Sequence, residues 1–147
     1  MRHSETRILP YSPELLFGLV GDVEQYPKFV PWCTGMRTWN QRELSPVVDQ
    51  LDAEASVAFS FVREKFATRV RRDAAHRIID VVLIYGPFRR LTNRWRFEPH
   101  AEGCEVHFEI DFEFKVPMLG RLLSANFQQA VDKLIRCFED RAAQLDA

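Results

Sequence analysis

Few side chains of this chain have the type and spacing for acid–base, nucleophilic or metal chemistry. The four histidines, His3, His76, His100 and His107, are scattered along 147 residues. Three cysteines, Cys33, Cys104 and Cys137, stand far apart, with no Cys or His pair at metal-ligand spacing. No glycine-rich phosphate loop and no GxSxG elbow occurs. Cys33 could be a nucleophile, but no histidine is near it in sequence, and it reads better as a small buried hydrophobe. His107 falls among carboxylates on the polar side of an alternating segment, which is a solvent position. Catalytic residues, a metal and a cofactor are therefore not expected. A binding role is favoured over catalysis, because proton-transfer chemistry would need His, Arg, Tyr or carboxylates pointing into a cavity.

Two groups of residues suit binding instead. Phenylalanine is in excess, with 12 Phe against 3 Tyr and 3 Trp. Phe59, Phe61, Trp95, Phe97, Phe108, Phe112 and Phe114 all fall on alternating positions. They either fill a core or line an apolar cavity for an apolar ligand. Basic residues cluster at Arg63, Lys65, Arg69, Arg71 and Arg72, and again at Arg89, Arg90, Arg94 and Arg96. These read as a solvated sheet face, or as contacts to anionic lipid headgroups or RNA phosphates. The second cluster adjoins Phe88, so Arg89 and Arg90 suit a membrane surface or a partner better than base reading. The net charge of −1 gives no global case for nucleic acid, and specific DNA binding is not expected.

The elements that must position these residues follow from periodicity. A first strand ends at Pro10. Ser12-Pro13-Glu14 starts a short helix, with Ser12 as its N-cap, closed near Gly21. Asp22 then caps a second short helix that Pro27 stops. From Gly35 to about Val116 the period is two, and strands are expected at 47–61, 66–73, 77–85, 88–98 and 104–116. On the last of these, Cys104, Val106, Phe108, Ile110, Phe112, Phe114 and Val116 share the buried face. After Pro117 the period changes to threes and fours, which predicts one amphipathic helix of about seven turns. The fold class is α+β: a helix-grip fold in which a curved antiparallel sheet of about six or seven strands wraps one long C-terminal helix. Residues 1–147 read as a single domain. With no signal-peptide core and no long apolar run, it is expected to be soluble and cytoplasmic.

Three stretches carry a resemblance: YPKFVPWC at 26–33, GPFRRLTNRWRFEP at 86–99, and FEIDFEFKVPMLG followed by the long helix. In that order they resemble the ubiquinone-binding START-like family, which includes the mitochondrial coenzyme Q-binding protein, within the polyketide cyclase and lipid-transport group. The resemblance implies an internal hydrophobic tunnel and a non-enzymatic role carrying a polyprenyl quinone for respiration or quinone biosynthesis. Transient contact with the inner membrane surface, or with respiratory or biosynthetic complexes, is implied with it. Of the residues its motifs match, Tyr26, Phe29, Trp32, Phe88, Trp95 and Phe97 are expected at the ligand, joined from the strand and helix patterns by Phe59, Phe61, Phe108, Phe112, Leu123, Phe127 and Val131. Relatives often have Asp in place of Tyr85, so the resemblance carries no headgroup contact there, but Tyr85 itself could donate a hydrogen bond to a quinone carbonyl. Tyr26, Phe29 and Trp32 would sit at the mouth, or plug one end of the sheet. The cavity door is expected near 88–91 and 117–123. Some bacterial relatives are toxins that block ribosomal subunit association, which makes the ribosome an alternative partner. A cyclase or aromatase is the remaining alternative.

Overall fold

The computed structural model describes residues 1–59 and 62–146. Strand β1 (Arg2–Leu9) leads into helix α1 (Pro13–Gly21). The Ser12 hydroxyl accepts a hydrogen bond from the Leu15 N–H at 3.1 Å, and Pro13 occupies the first turn, where no N–H is missed. A 3₁₀ turn follows over Val23–Lys28. It differs from the short helix expected there. Asp22 makes no side-chain cap, and Pro27 lies inside the turn instead of ending it. A turn this short carries few i→i+3 bonds, so the one Pro27 cannot donate costs it little, and the Phe29 and Val30 N–H groups still donate to the Tyr26 carbonyl.

Six strands complete the sheet: β2 (Cys33–Glu43), β3 (Val48–Phe59), β4 (Val62–Asp73), β5 (Ile78–Tyr85), β6 (Phe88–His100) and β7 (Gly103–Phe114). Every pairing is antiparallel, in the order β1-β7-β6-β5-β4-β3-β2. Strands β2 to β7 form a meander, and β1 returns to pair with β7. The turns use glycine where another residue cannot fit. Gly103 has φ +136°, and a Cβ there would lie 2.4 Å from the Leu9 carbonyl oxygen.

The register puts Phe97 opposite Val106, Trp95 opposite Phe108 and Leu91 opposite Phe112, all on one face. Ile79 of β5 lies opposite Trp95 and extends that face. Helix α2 (Pro117–Asp146) covers it, burying Phe127, Val131, Ile135, Phe138 and Ala142 at spacings of three and four. The helix is interrupted: Asn126 has φ −126° and ψ 16°, and its amide donates to the Leu122 carbonyl at 3.2 Å. Among the described residues, no helix is long and apolar enough to cross a membrane.

Asp52 departs from simple alternation. It occupies a polar position of β3 yet is buried, between Trp39 and Arg69 on the neighbouring strands. Arg69 donates to it at 3.0 Å and Asn40 at 3.1 Å. The Arg69 hydrogen bond holds its carboxyl below the usual carboxylate range, against the opposing effect of burial. A depressed folded-state value means the stabilisation is present above the ordinary carboxylate value and is lost as pH falls through the folded one. Asp52→Ala should cost about 1–2 kcal/mol at neutral pH. It should also flatten the acid limb of the stability profile, which urea titrations from pH 7 downward would measure.

Candidate functional site

The space between the sheet and α2 is an aromatic groove. Its rings form a continuous series that meets the helix at Phe127 and Phe138. At one end Phe66 meets Phe88 at 5.4 Å, and Phe88 stacks on Phe114 at 4.7 Å. Phe114 meets Phe112 at 5.7 Å, and Phe112 meets Phe127 of α2 at 5.5 Å. The His3 ring links Phe127 at 5.1 Å to Phe108 at 6.4 Å. Phe108 meets Trp95 at 4.7 Å, and Trp95 meets Phe138 at 5.5 Å. The series ends on Tyr26 and Phe29, which lie 5.5 and 5.6 Å from Phe138. Ring pairs at these separations and tilts have favourable quadrupole geometry.

Among the described residues, spaces interrupt the packing at two places in the groove. One is a cavity of about 20 Å³ beneath α2, walled by Leu16, Val20, Trp95, Phe97, Phe108, Ile135 and Phe138, with Glu5 and Arg7 at its rim. That is room for about one water. The other is an open pocket of about 210 Å³ among Arg89, Phe112, Glu113, Phe114, Pro117 and Gly120. Between them stands a packed cluster of Leu91, Phe112, Phe127, Val131 and Ile135. Drug-sized ligands occupy about 300–1,000 Å³. A larger ligand therefore enters only if this cluster and α2 yield.

A polar rim lines the β1 edge. His3 and Glu5 lie 3.2 Å apart, Arg7 donates to Glu5 at 2.6 Å and bonds to Asp132, and Gln128 donates to Glu5 at 3.2 Å. Burial would raise the Glu5 carboxyl, but the bonds from Gln128, Arg7 and His3 outweigh it and hold the carboxyl low. Sequence reasoning missed this rim. On β1 the groove side carries His3, Glu5 and Arg7 and the outer side Ser4 and Thr6, so both faces are polar and alternation gives no signal. The pairing signal, Asp132 on a helix 125 residues away from Arg7, is not local.

The expected ligand residues divide into groups. Trp95, Phe97 and Phe108 belong to the core cluster under the C-terminal half of α2, while Phe112, Phe127 and Val131 form the second cluster with Phe88 against it. Tyr26 and Phe29 close the far end of the groove, with the Tyr26 hydroxyl donating to the Val20 carbonyl. Burial pushes that hydroxyl's pKa well above the usual tyrosine range. The elbow packs on Phe138, at the opposite end from the pocket at Pro117. Trp32 is half-buried, and its carbonyl accepts the Ala58 N–H at 2.9 Å. Phe61 lies outside the described residues, as do the side chains of Phe59 and Leu123.

Tyr85 is a correction. It is exposed on the outer face, where its hydroxyl bonds to Glu54. A register shift between Ala67 and Thr68 precedes it, and the residue before the Gly86 turn has left the groove side. Tyr85→Phe should leave lipid uptake unchanged and alter stability by less than about 1.5 kcal/mol; a ligand-binding assay beside a urea melt checks both.

The basic clusters are largely neutralised. Arg72 forks onto Asp49 at 2.7 and 2.8 Å, Arg94 onto Asp80 at 2.6 and 3.2 Å, and Arg96 meets Glu98 at 2.9 Å. Arg90 bonds to Asp111 and Glu113, while Arg89 stands 3.8 Å from Glu113. His107 lies on the outer face, 3.2 Å from the Thr6 hydroxyl and 3.8 and 3.6 Å from Glu98 and Glu105. Cys33 and Cys104 are buried, and burial pushes the Cys104 thiol up to about 11, so both stay protonated and unreactive at neutral pH.

Comparison with known proteins agrees with this architecture. The chain is 38% identical to the ribosome association toxin RatA of Rickettsia prowazekii, over 95% of this chain and 94% of that one. It is 30% identical to the mitochondrial coenzyme Q-binding protein COQ10 homolog B of Xenopus laevis, over 99% of this chain and 59% of that one. The solution structure of the 18 kDa protein CC1736 from Caulobacter crescentus superimposes with a TM-score of 0.84 at 59% identity, covering 99% of this chain and 98% of that one. Residues 9–139 match the family described as polyketide cyclase / dehydrase and lipid transport. With its sheet gripping one long helix over an apolar groove, the chain belongs to that family and has its START-like fold.

Proposed function

We propose that the chain binds a polyprenyl quinone between the sheet and α2 and carries it between a membrane and the enzymes that make or use it. The observation that carries this reading is the unbroken aromatic series from Phe66 to Tyr26. Planar rings and branched isoprene units pack well on such a surface. Burial of one methylene is worth about 0.8 kcal/mol, so a five-carbon isoprene unit is worth up to about 4 kcal/mol. A few units leave the free molecule almost absent from water, which is why a carrier is needed. The relative named as a coenzyme Q-binding protein supports the reading. Extraction of the purified protein with organic solvent, followed by mass spectrometry, tests it. Co-purifying quinone is expected; repeated quinone-free preparations that also fail to take up added ubiquinone would overturn it.

The second reading is ribosome association, favoured by the relatives named as ribosome association toxins. Phosphate binding needs free cations, and here most of the clustered arginines are already held by carboxylates. Within the two clusters, Arg63, Lys65 and Arg71 make no ion pair among the described residues and are the cations these clusters leave for RNA. Co-sedimentation with ribosomal subunits that weakens steeply with salt would favour this reading.

A further inference from the structure

The first two turns of α2 differ from the rest of the helix. From Phe127 onward the helix buries an apolar residue every three or four positions. Before Asn126, Met118 is 61% exposed and Leu122 40%, and Val116 just ahead of the helix is 46% exposed. Apolar side chains that a helix does not bury against its own sheet need another neighbour. The charge around them is one-sided. No carboxylate occurs between Glu113 and Asp132, while Lys115 and Arg121 lie in that stretch and make no ion pair among the described residues. Arg89, on the wall of the 210 Å³ pocket, adds a third cation, opposed among the described residues by Glu113 at 3.8 Å. The segment is also separable, because the break at Asn126 lies between it and the packed turns, with the Asn126 amide replacing part of the lost helical bonding.

We propose that residues 116–125 seat on an anionic bilayer, with Val116, Met118 and Leu122 entering the acyl boundary while Arg89, Lys115 and Arg121 meet the lipid phosphates. Exposed apolar groups ringed by cations are what such a surface recognises. RNA would meet the cations but leave the apolar groups in water. A bound bilayer would then face the pocket at Pro117 and Gly120. Movement of the segment about Asn126 would loosen the cluster that separates this pocket from the inner cavity. The inference rests on the quinone-carrier reading and names the surface from which the ligand is loaded.

The test is flotation of the full chain with phosphatidylcholine vesicles, with and without phosphatidylglycerol, in low and high salt. Binding is expected only with phosphatidylglycerol, and it should weaken with salt. The double variant Met118→Glu, Leu122→Glu should lose at least about tenfold in partitioning, because carboxylates are costly in the acyl region. Both residues are exposed, so the fold is kept, and the circular dichroism spectrum and urea midpoint of the double variant should match those of the parent chain. Equal binding to neutral vesicles, no effect of the double variant, or self-association of the parent chain abolished by it would each overturn the bilayer proposal. Failure of quinone uptake from detergent micelles by the parent chain, with vesicle binding intact, would instead overturn the carrier reading and leave the bilayer contact standing.

Discussion

Phe97→Ala is expected to destabilise the protein by about 3–5 kcal/mol. Phe97 is only 1% exposed, lies parallel to Trp95 at 6.1 Å, and meets Phe17 edge-on at 6.4 Å. Those neighbours come from β6 and α1, and neither element can move inward alone to fill the space. The ring also walls the cavity of about 20 Å³, so its removal enlarges an existing void. Cavity growth of this kind adds to the lost transfer free energy, which places the cost at the upper end for a core residue. Urea unfolding followed by circular dichroism measures it, as a lower midpoint with an unchanged slope. A loss below about 1 kcal/mol would mean that the site collapses or is not packed as described.

Val131→Lys is expected to abolish quinone uptake. Val131 packs among Leu91, Phe112, Phe127 and Ile135, the cluster that must part to admit a ligand. Without ligand, a lysine there can lean toward solvent past Gln128 and Asp132 on its own helix. With ligand in the groove, its charge would be buried unpaired, at a cost of about 3–5 kcal/mol. A penalty of 3 kcal/mol corresponds to roughly a hundredfold loss of affinity. Uptake of ubiquinone from detergent micelles measures it, below the unfolding midpoint of the variant. Val131→Met, which nearly conserves volume, should keep affinity within about tenfold. Full uptake by the lysine variant would place the ligand elsewhere.

Much of the fold was legible because its signals are local. Ser12-Pro13-Glu14 marks a helix start through capping chemistry. The alternation from Cys104 to Phe114 marks a strand with one buried face, and the change of period after Pro117 marks the covering helix. What the sequence hid depends on pairing across the sheet. Strand β2 carries a register shift between Trp39 and Arg42, with Asn40 in the left-handed region, which blurs its alternation. Strand β1 is polar on both faces, so the rim of His3, Glu5 and Arg7 emerges only once Asp132 is opposite. The basic clusters looked like a free positive surface until the register brought Asp49, Asp80 and Asp111 within reach. Tyr85 follows the strand period in sequence, yet a bulge at Ile84, on the same strand, turns it out of the groove.

The claim that a quinone lies along the aromatic series is tested most directly by titrating ubiquinone into the protein while following tryptophan fluorescence. Trp95 sits in the middle of that series, between Phe108 and Phe138. A quinone reaching it should quench the emission saturably at one ligand per chain, and most of the signal should vanish in a Trp95→Phe variant. Linear, unsaturable quenching identical in the parent chain and the variant would contradict a site in the groove.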